Sequence, residues 1–157
     1  ARGALKLKGL NKIFTLTARA DRIDFRSGVG LSLIDYKTGQ PPSDKQVAVG
    51  LAPQLPLEAA IAIAGGVDDL TKNEIANLTY IRLSGGRQAG HERVVKTDLP
   101  KTISRAVAGL SKLIHKYEDT ETPYLSQPRP MFVSRFGKYD HLARVKEWRS
   151  RNKRDDE

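Results

Sequence analysis

Polar and apolar side chains alternate through IFTLTARADRIDF (13–25), with Ile13, Thr15, Thr17 and Arg19 against Phe14, Leu16, Ala18 and Ala20. A period of two, rich in β-branched residues, predicts a strand over 13–25. Ser27-Gly28-Val29-Gly30 supplies glycines for a hairpin turn. LSLIDYKT (31–38) follows as a second strand, and its apolar Leu31, Leu33 and Ile34 place it near the centre of a sheet. Gly39-Gln40-Pro41-Pro42 ends it, because proline cannot donate to a ladder.

Helical spacing takes over next. Ser43 or Asp44 caps a helix running to about Ala64, kinked or split near Gly50–Pro53 by Pro53 and Pro56. Gly65-Gly66 is its stop. ANLTYIRLS (76–84) predicts a third strand, SGGRQAGHE a turn, and RVVKT (93–97) a fourth strand. From Asp98 or Leu99 to about Glu118, Ile103, Val107, Leu110, Leu113 and Ile114 recur at helical spacing. Residues 119–137 hold three prolines and three aromatics and read as an extended wrap. Leu142, Val145 and Trp148 in YDHLARVKEWRSRNKR predict a terminal helix with a frayed basic tail over 150–157. The order strand, strand, helix, strand, strand, helix, helix is an α/β layout, expected as a single domain over 1–157.

Composition narrows the function. With 39% hydrophobic and 29% charged residues, the 157-residue chain is a globular composition, without an apolar run long enough to span a bilayer. No signal peptide and no membrane partner are expected. Met131 is its sole methionine, which suggests a piece of a longer protein. There is no cysteine, so disulfides, thiolate zinc sites, cysteine nucleophiles and an iron–sulfur cluster are excluded within this segment, in keeping with a cytoplasmic location. A net charge of +9 suits a polyanionic partner, DNA above all.

Chemistry concentrates in ADRID…LIDYKTG. Asp35 and Lys37 are two apart on one strand and so project from one face. A hairpin sets Asp21 on the neighbouring strand. Two carboxylates and a backbone carbonyl make a partial site for Mg²⁺ or Mn²⁺, and Lys37 can offset charge developing on a phosphate. The bland alternative is a surface ion pair worth at most about 1 kcal/mol. Against it, Asp35 ends a buried apolar run, where an unpartnered charge is costly. Arg19, Arg22, Lys45 and Arg87 are candidates to line a phosphate path, an exposed solvating face being the equal alternative. His91, His115 and His141 have no metal-ligand spacing.

ADRID, the hairpin, LIDYKTG and the helix bearing APQLPLEAA together resemble the RecB-type PD-(D/E)XK nuclease domains, most nearly those at the C-terminus of the AddB family. The match is strong from about Thr17 to Ile61, and PRPMF…YDHLARVKEW extends it. The resemblance implies a restriction-endonuclease-like core, a central mixed sheet flanked by helices. It implies Asp21, Asp35 and the Tyr36 carbonyl as metal ligands and Lys37 as the catalytic lysine. Gln54 matches the glutamine of the family's Q-x-x-x-Y helix motif, which orients the site and contacts DNA.

This chain has Glu58 at the tyrosine position, where a helix-surface charge is the favoured reading over a helper near the site. Ala18 replaces the usual glycine. The cluster cysteines of many AddB proteins are missing, and packing by Trp148 and the aromatics from Tyr124 to Tyr139 is expected in their place. The implied activity is Mg²⁺-dependent exonuclease action on DNA ends in double-strand break repair, with an AddA-like helicase–nuclease subunit as partner. The competing expectation is a DNA-binding or scaffolding module of the same fold without catalysis.

Overall fold

The computed structural model describes residues 1–67, 74–86, 90–125 and 142. The chain divides into two compact units, Ala1–Glu118 and Asp119–Glu157. In the second, the described part is a short turn in which Thr122 N donates to Asp119 O at 3.1 Å. The predicted terminal helix, Trp148, the tail and Arg87 lie outside the described residues.

The first unit opens with a strand that the sequence pattern does not predict, β1 (Arg2–Lys8), paired antiparallel with β2 (Ile13–Arg19). The strand expected over 13–25 is therefore broken. Beyond Arg19 the chain leaves this ribbon and enters a different sheet as β3 (Arg22–Arg26). The break falls at Ala20-Asp21. Ala20 is buried, with its N–H on the carbonyl of Ala1, while the Asp21 carboxylate accepts a hydrogen bond from the Tyr36 N–H. Alternation alone does not reveal such a break, because both halves keep the period of two.

β3 turns through Gly28 and Gly30, at φ +74° and +113°, into β4 (Gly30–Lys37). These positive angles are open to glycine at no steric cost. β4 then pairs parallel with β5 (Ile75–Arg82), which pairs antiparallel with β6 (His91–Val94). The result is a mixed sheet of order β3-β4-β5-β6 flanked by helices. β6 begins two residues before the expected 93 and ends at Val94; Val95 already turns inward, buried, with its N–H on Leu78 O.

A parallel β4–β5 pair needs a crossover, supplied by α1 (Asp44–Ala48) and α2 (Gln54–Ile63). Ser43 and Gln46 form a reciprocal capping box at the start of α1. The helix expected to reach Ala64 is split at Gly50, at φ +79°. Pro56 does not break α2 because it lies in the first turn, where an amide N–H has no helical acceptor.

α2 is the hub. Leu55, Pro56, Glu58 and the run Ala59–Ala62 are all buried, since the helix packs against the sheet, β1 and α3 (Leu99–Glu118). Leu31, Leu33, Leu55, Ile61, Leu78 and Tyr80 fill the core between them. On α3 the predicted apolar stripe buries Ile103 and Ile114, but Leu113 lies on its exposed edge. β1 is stitched to the end of α2 by Ala4 N on Gly66 O at 2.8 Å. That approach demands glycine, as a Cβ on Gly66 would lie 2.0 Å from Ala4 O. No described helix is long and apolar enough to cross a membrane.

Candidate active site

Three elements converge where β3 begins and β4 ends. Arg22 is the last β3 residue opposite β4, pairing with Ile34, so the β4 edge beyond it is open. Asp21 stands at that edge and takes the Tyr36 N–H on Oδ2 at 3.1 Å. A strand residue's N–H and C=O point to the same edge, so the Tyr36 carbonyl shares the side that Asp21 occupies. Asp35 and Lys37, one residue to either side, direct their side chains to the face covered by the start of α2.

There Gln54, the first residue of α2, ties them together. Its Nε2 donates to Asp35 Oδ1 at 2.7 Å and to Glu58 Oε1 at 3.3 Å, while its Oε1 accepts from Lys37 Nζ at 3.0 Å. Both amide N–H groups and the amide oxygen are thereby used. Lys37 Nζ also lies 2.8 Å from Asp35 Oδ2. This contact is out of hydrogen-bonding alignment, and the buried Oδ2 has no hydrogen-bond partner. Asp35 is only 2% exposed, so an oxygen left this way is poised for a cation.

The donor set fits a hard divalent ion in part. Asp21, Asp35 and the Tyr36 carbonyl are all oxygen ligands, and Mg²⁺ retains several waters beside a few carboxylates. Among the described residues no group of three or more His, Cys, Asp or Glu side chains is arranged to hold a metal. An ion held there would take two side chains and a backbone oxygen from the chain and its remaining ligands from water.

Glu58 is the residue that its helix propensity misplaces. It is 7% exposed, not a helix-surface charge, and it joins the site through Gln54. The available signal was its position as the lone carboxylate in the apolar run LPLEAAIAIA, four residues after Gln54. A helix apolar all round is buried, and buries its one acid with it. Burial above all, then the charges of Asp35 and Asp21, pushes the Glu58 carboxyl above its ordinary range; Gln54 and Lys37 pull it back. Beneath the site, Tyr80 pairs in register with Asp35 and is buried. Burial, then Asp35 and Glu58, push its hydroxyl up to about 12, so it stays neutral at working pH.

A raised carboxylate makes the metal-free fold sensitive to pH. As pH rises from the ordinary Glu value of 4.5 through the higher folded one, the folded chain gives up a proton it holds more tightly than the unfolded chain does. Stability falls across that interval. Glu58→Gln is expected to flatten this fall and raise the metal-free Tm at neutral pH. Superimposable Tm–pH profiles for the two proteins would contradict it.

The remaining cationic candidates have separate fates. Arg19 ends β2 two residues before Asp21 and is exposed. Arg22 is engaged by Asp24 through two bonds of 2.7 and 2.9 Å, and its guanidinium pKa is raised by Asp24 first and Tyr36 second. Lys45 is exposed on α1 and makes no described contact with Asp35, Lys37 or Gln54.

Comparisons with known proteins bear on the family of the chain. The chain is 24% identical over 91% of its length to an uncharacterised protein of Rickettsia conorii, and 23% identical over 90% to one of Rickettsia bellii. A Rickettsia felis protein is 32% identical over 48% of the chain. The chain spans only about a fifth of the Rickettsia conorii and Rickettsia bellii proteins, at 19% and 18% of their lengths. The crystal structure of SSO0001 aligns at a TM-score of 0.40 and 12% identity, covering 85% of this chain and 60% of that one, and adds no weight. The sequence profile of the PD-(D/E)XK nuclease superfamily matches residues 3–130, which take in the mixed sheet, Asp21, the Asp35-x-Lys37 strand and the Gln54 helix. The chain belongs to the PD-(D/E)XK nuclease superfamily.

Proposed function

We propose that this domain hydrolyses phosphodiester bonds in DNA with a divalent cation, Mg²⁺ or Mn²⁺, held by Asp21, Asp35 and the Tyr36 carbonyl. One observation carries the reading: Lys37 Nζ stands 2.8 Å from an Asp35 oxygen that is buried and lacks a hydrogen bond. When bound, the cation supplies Lewis-acid polarisation of phosphate oxygens.

The chain's own groups do the rest. Lys37 presents an ammonium to the phosphate oxygens where negative charge grows as water attacks. Gln54 keeps that ammonium and the Asp35 carboxylate in register through its two bonds, so neither must reorganise during reaction. Glu58 holds the other N–H of the Gln54 amide and thereby sets its orientation. Asp21, exposed and bonded to the Tyr36 N–H, leaves the open strand edge accessible to a polyanion.

By its resemblance to AddB-type domains, the reaction serves DNA-end processing in double-strand break repair in the cytoplasm. An AddA-like helicase–nuclease subunit delivers the strand and exonucleolytic cleavage follows. The test is cleavage of end-labelled single- and double-stranded DNA, with circular DNA as the endonuclease control. Activity is expected with Mg²⁺ or Mn²⁺ and none in EDTA. DNA binding without cleavage under any metal would instead favour a scaffolding module.

A further inference from the structure

We propose that the outward face of the β1–β2 ribbon is a phosphate-binding track that carries a nucleic-acid strand to the Asp21–Asp35 site. The inference rests on the nuclease reading and names the surface that holds its substrate.

The two faces of the ribbon differ sharply. In register, Gly3 pairs with Ala18, Leu5 with Leu16 and Leu7 with Phe14 on one face. Leu5, Leu16 and Ala18 of this face pack against the core. On the other face Arg2 pairs with Arg19, Ala4 with Thr17, Lys6 with Thr15 and Lys8 with Ile13. All eight of these residues are exposed.

The outward face thus carries four cations and two hydroxyls, and no acid. Among the described residues none of the four cations forms an ion pair. Glu118, near the ribbon's turn, is engaged by the Leu10 N–H. Opposed charges across a ribbon stabilise it and like charges directly opposite destabilise it. A face that sets Arg2 against Arg19 therefore retains an unfavourable pair, one that a polyanion relieves.

The track has the right extent and direction. The six residue steps from Arg2 to Lys8 span about 20 Å of strand. At the Arg2–Arg19 end, Asp21 follows Arg19 by two residue steps, about 7 Å at most. An open groove of about 480 Å³ lies at this end, lined by Arg2, Thr17, Arg19 and Gly66 together with the small Gly3 and Ala4. Arg2, Gly3 and Ala18 also border an adjoining small cavity whose lining includes Glu58. The ribbon end thus abuts the helix that completes the site. Arginine, lysine and threonine side chains are the groups that bind phosphates without reading bases, which suits an enzyme indifferent to sequence.

The experiment measures binding of a labelled single-stranded oligonucleotide, and of the matching duplex, to the Lys37→Ala chain over a salt series. Neutralising Arg2, Lys6, Lys8 and Arg19 to Gln is expected to make the single-strand log K against log salt slope shallower by about 3, at roughly 0.7 per phosphate contact. Affinity near physiological salt falls about 10²-fold on the same counterion arithmetic. Lys6→Gln/Lys8→Gln, exposed positions remote from the core, carries about half the slope change and decides the matter should the fourfold variant unfold. Arg2→Lys/Arg19→Lys keeps the slope, and Lys96→Gln/Lys101→Gln, in the loop after β6 and on α3, leaves it in place. A Lys37→Ala chain that binds DNA with a slope unmoved by these ribbon substitutions overturns the track alone. A chain that binds neither DNA form overturns the nuclease reading with it.

Discussion

Lys37→Ala is expected to lower the single-turnover rate of DNA cleavage by about 10²–10³-fold, the usual cost of removing one preorganised charge-stabilising donor. Affinity for DNA stays within about twofold, because one phosphate contact among many is lost. The ammonium is held on two sides, by Gln54 Oε1 and by Asp35, and its side chain keeps a third of its surface open. Lys37→Arg is not expected to rescue the rate. Its planar fork cannot occupy the point between an amide oxygen and a buried carboxylate that a compact ammonium fills. Rate constants measured at saturating enzyme separate this loss from weaker binding. An undiminished rate would remove Lys37, and the site built around it, from the chemistry.

The second large effect concerns the cation. A divalent ion that binds the folded chain alone raises its stability by about 2.7 kcal/mol at a hundred times its Kd, and Asp35→Asn is expected to abolish that rise. The substituted side chain would still accept the Gln54 N–H on its oxygen, so the local packing survives. Its amide nitrogen, however, would sit where Oδ2 now is, a donor facing Lys37 Nζ and any cation. Cleavage falls to background for the same reason. Asp21→Asn weakens the metal-induced rise without abolishing it, since Asp21 is exposed and water replaces part of its role. Thermal melts of both variants with and without Mg²⁺ or Mn²⁺ check this. An equal shift in Asp35→Asn and the unaltered chain would place the ion elsewhere.

These two results bear on a single small network, and its other members explain how a loose-looking motif becomes a site. Asp-x-Lys alone brings a carboxylate and an ammonium to one face of a strand. Gln54 adds the restraint, arriving from a helix that begins seventeen residues after Lys37. Glu58 brings that helix's lone carboxylate beside Gln54 and adds to the negative charge about Asp35.

Much of this was legible from residues alone. The placing of Asp21 beside the Asp35 strand followed from the hairpin, because glycines at 28 and 30 leave a turn as the natural connection and the antiparallel return then brings Asp21 to the end of β4. The one-face placement of Asp35 and Lys37 followed from the two-residue period of a strand. The split of the crossover helix near Gly50–Pro53 followed from backbone chemistry that only glycine and proline dictate. In each case the determining interaction is local or spans one turn.

What the tertiary structure alone decided depends on packing between distant segments. The break at Ala20-Asp21 arises because two sheets compete for one alternating segment, and periodicity is identical on either side of the break. β1 was invisible because RGALKLK is a stretch whose strand character depends on a partner, β2, and on the Gly66 contact that anchors it. Glu58 reads as a surface residue by its own propensity; its burial comes from the sheet, β1 and α3 closing on all sides of α2. The cationic face of the ribbon emerges only once register sets Arg2 across from Arg19. Local sequence determines which groups a segment carries and which way they alternate, while long-range burial determines which of them lose their water and so acquire chemistry.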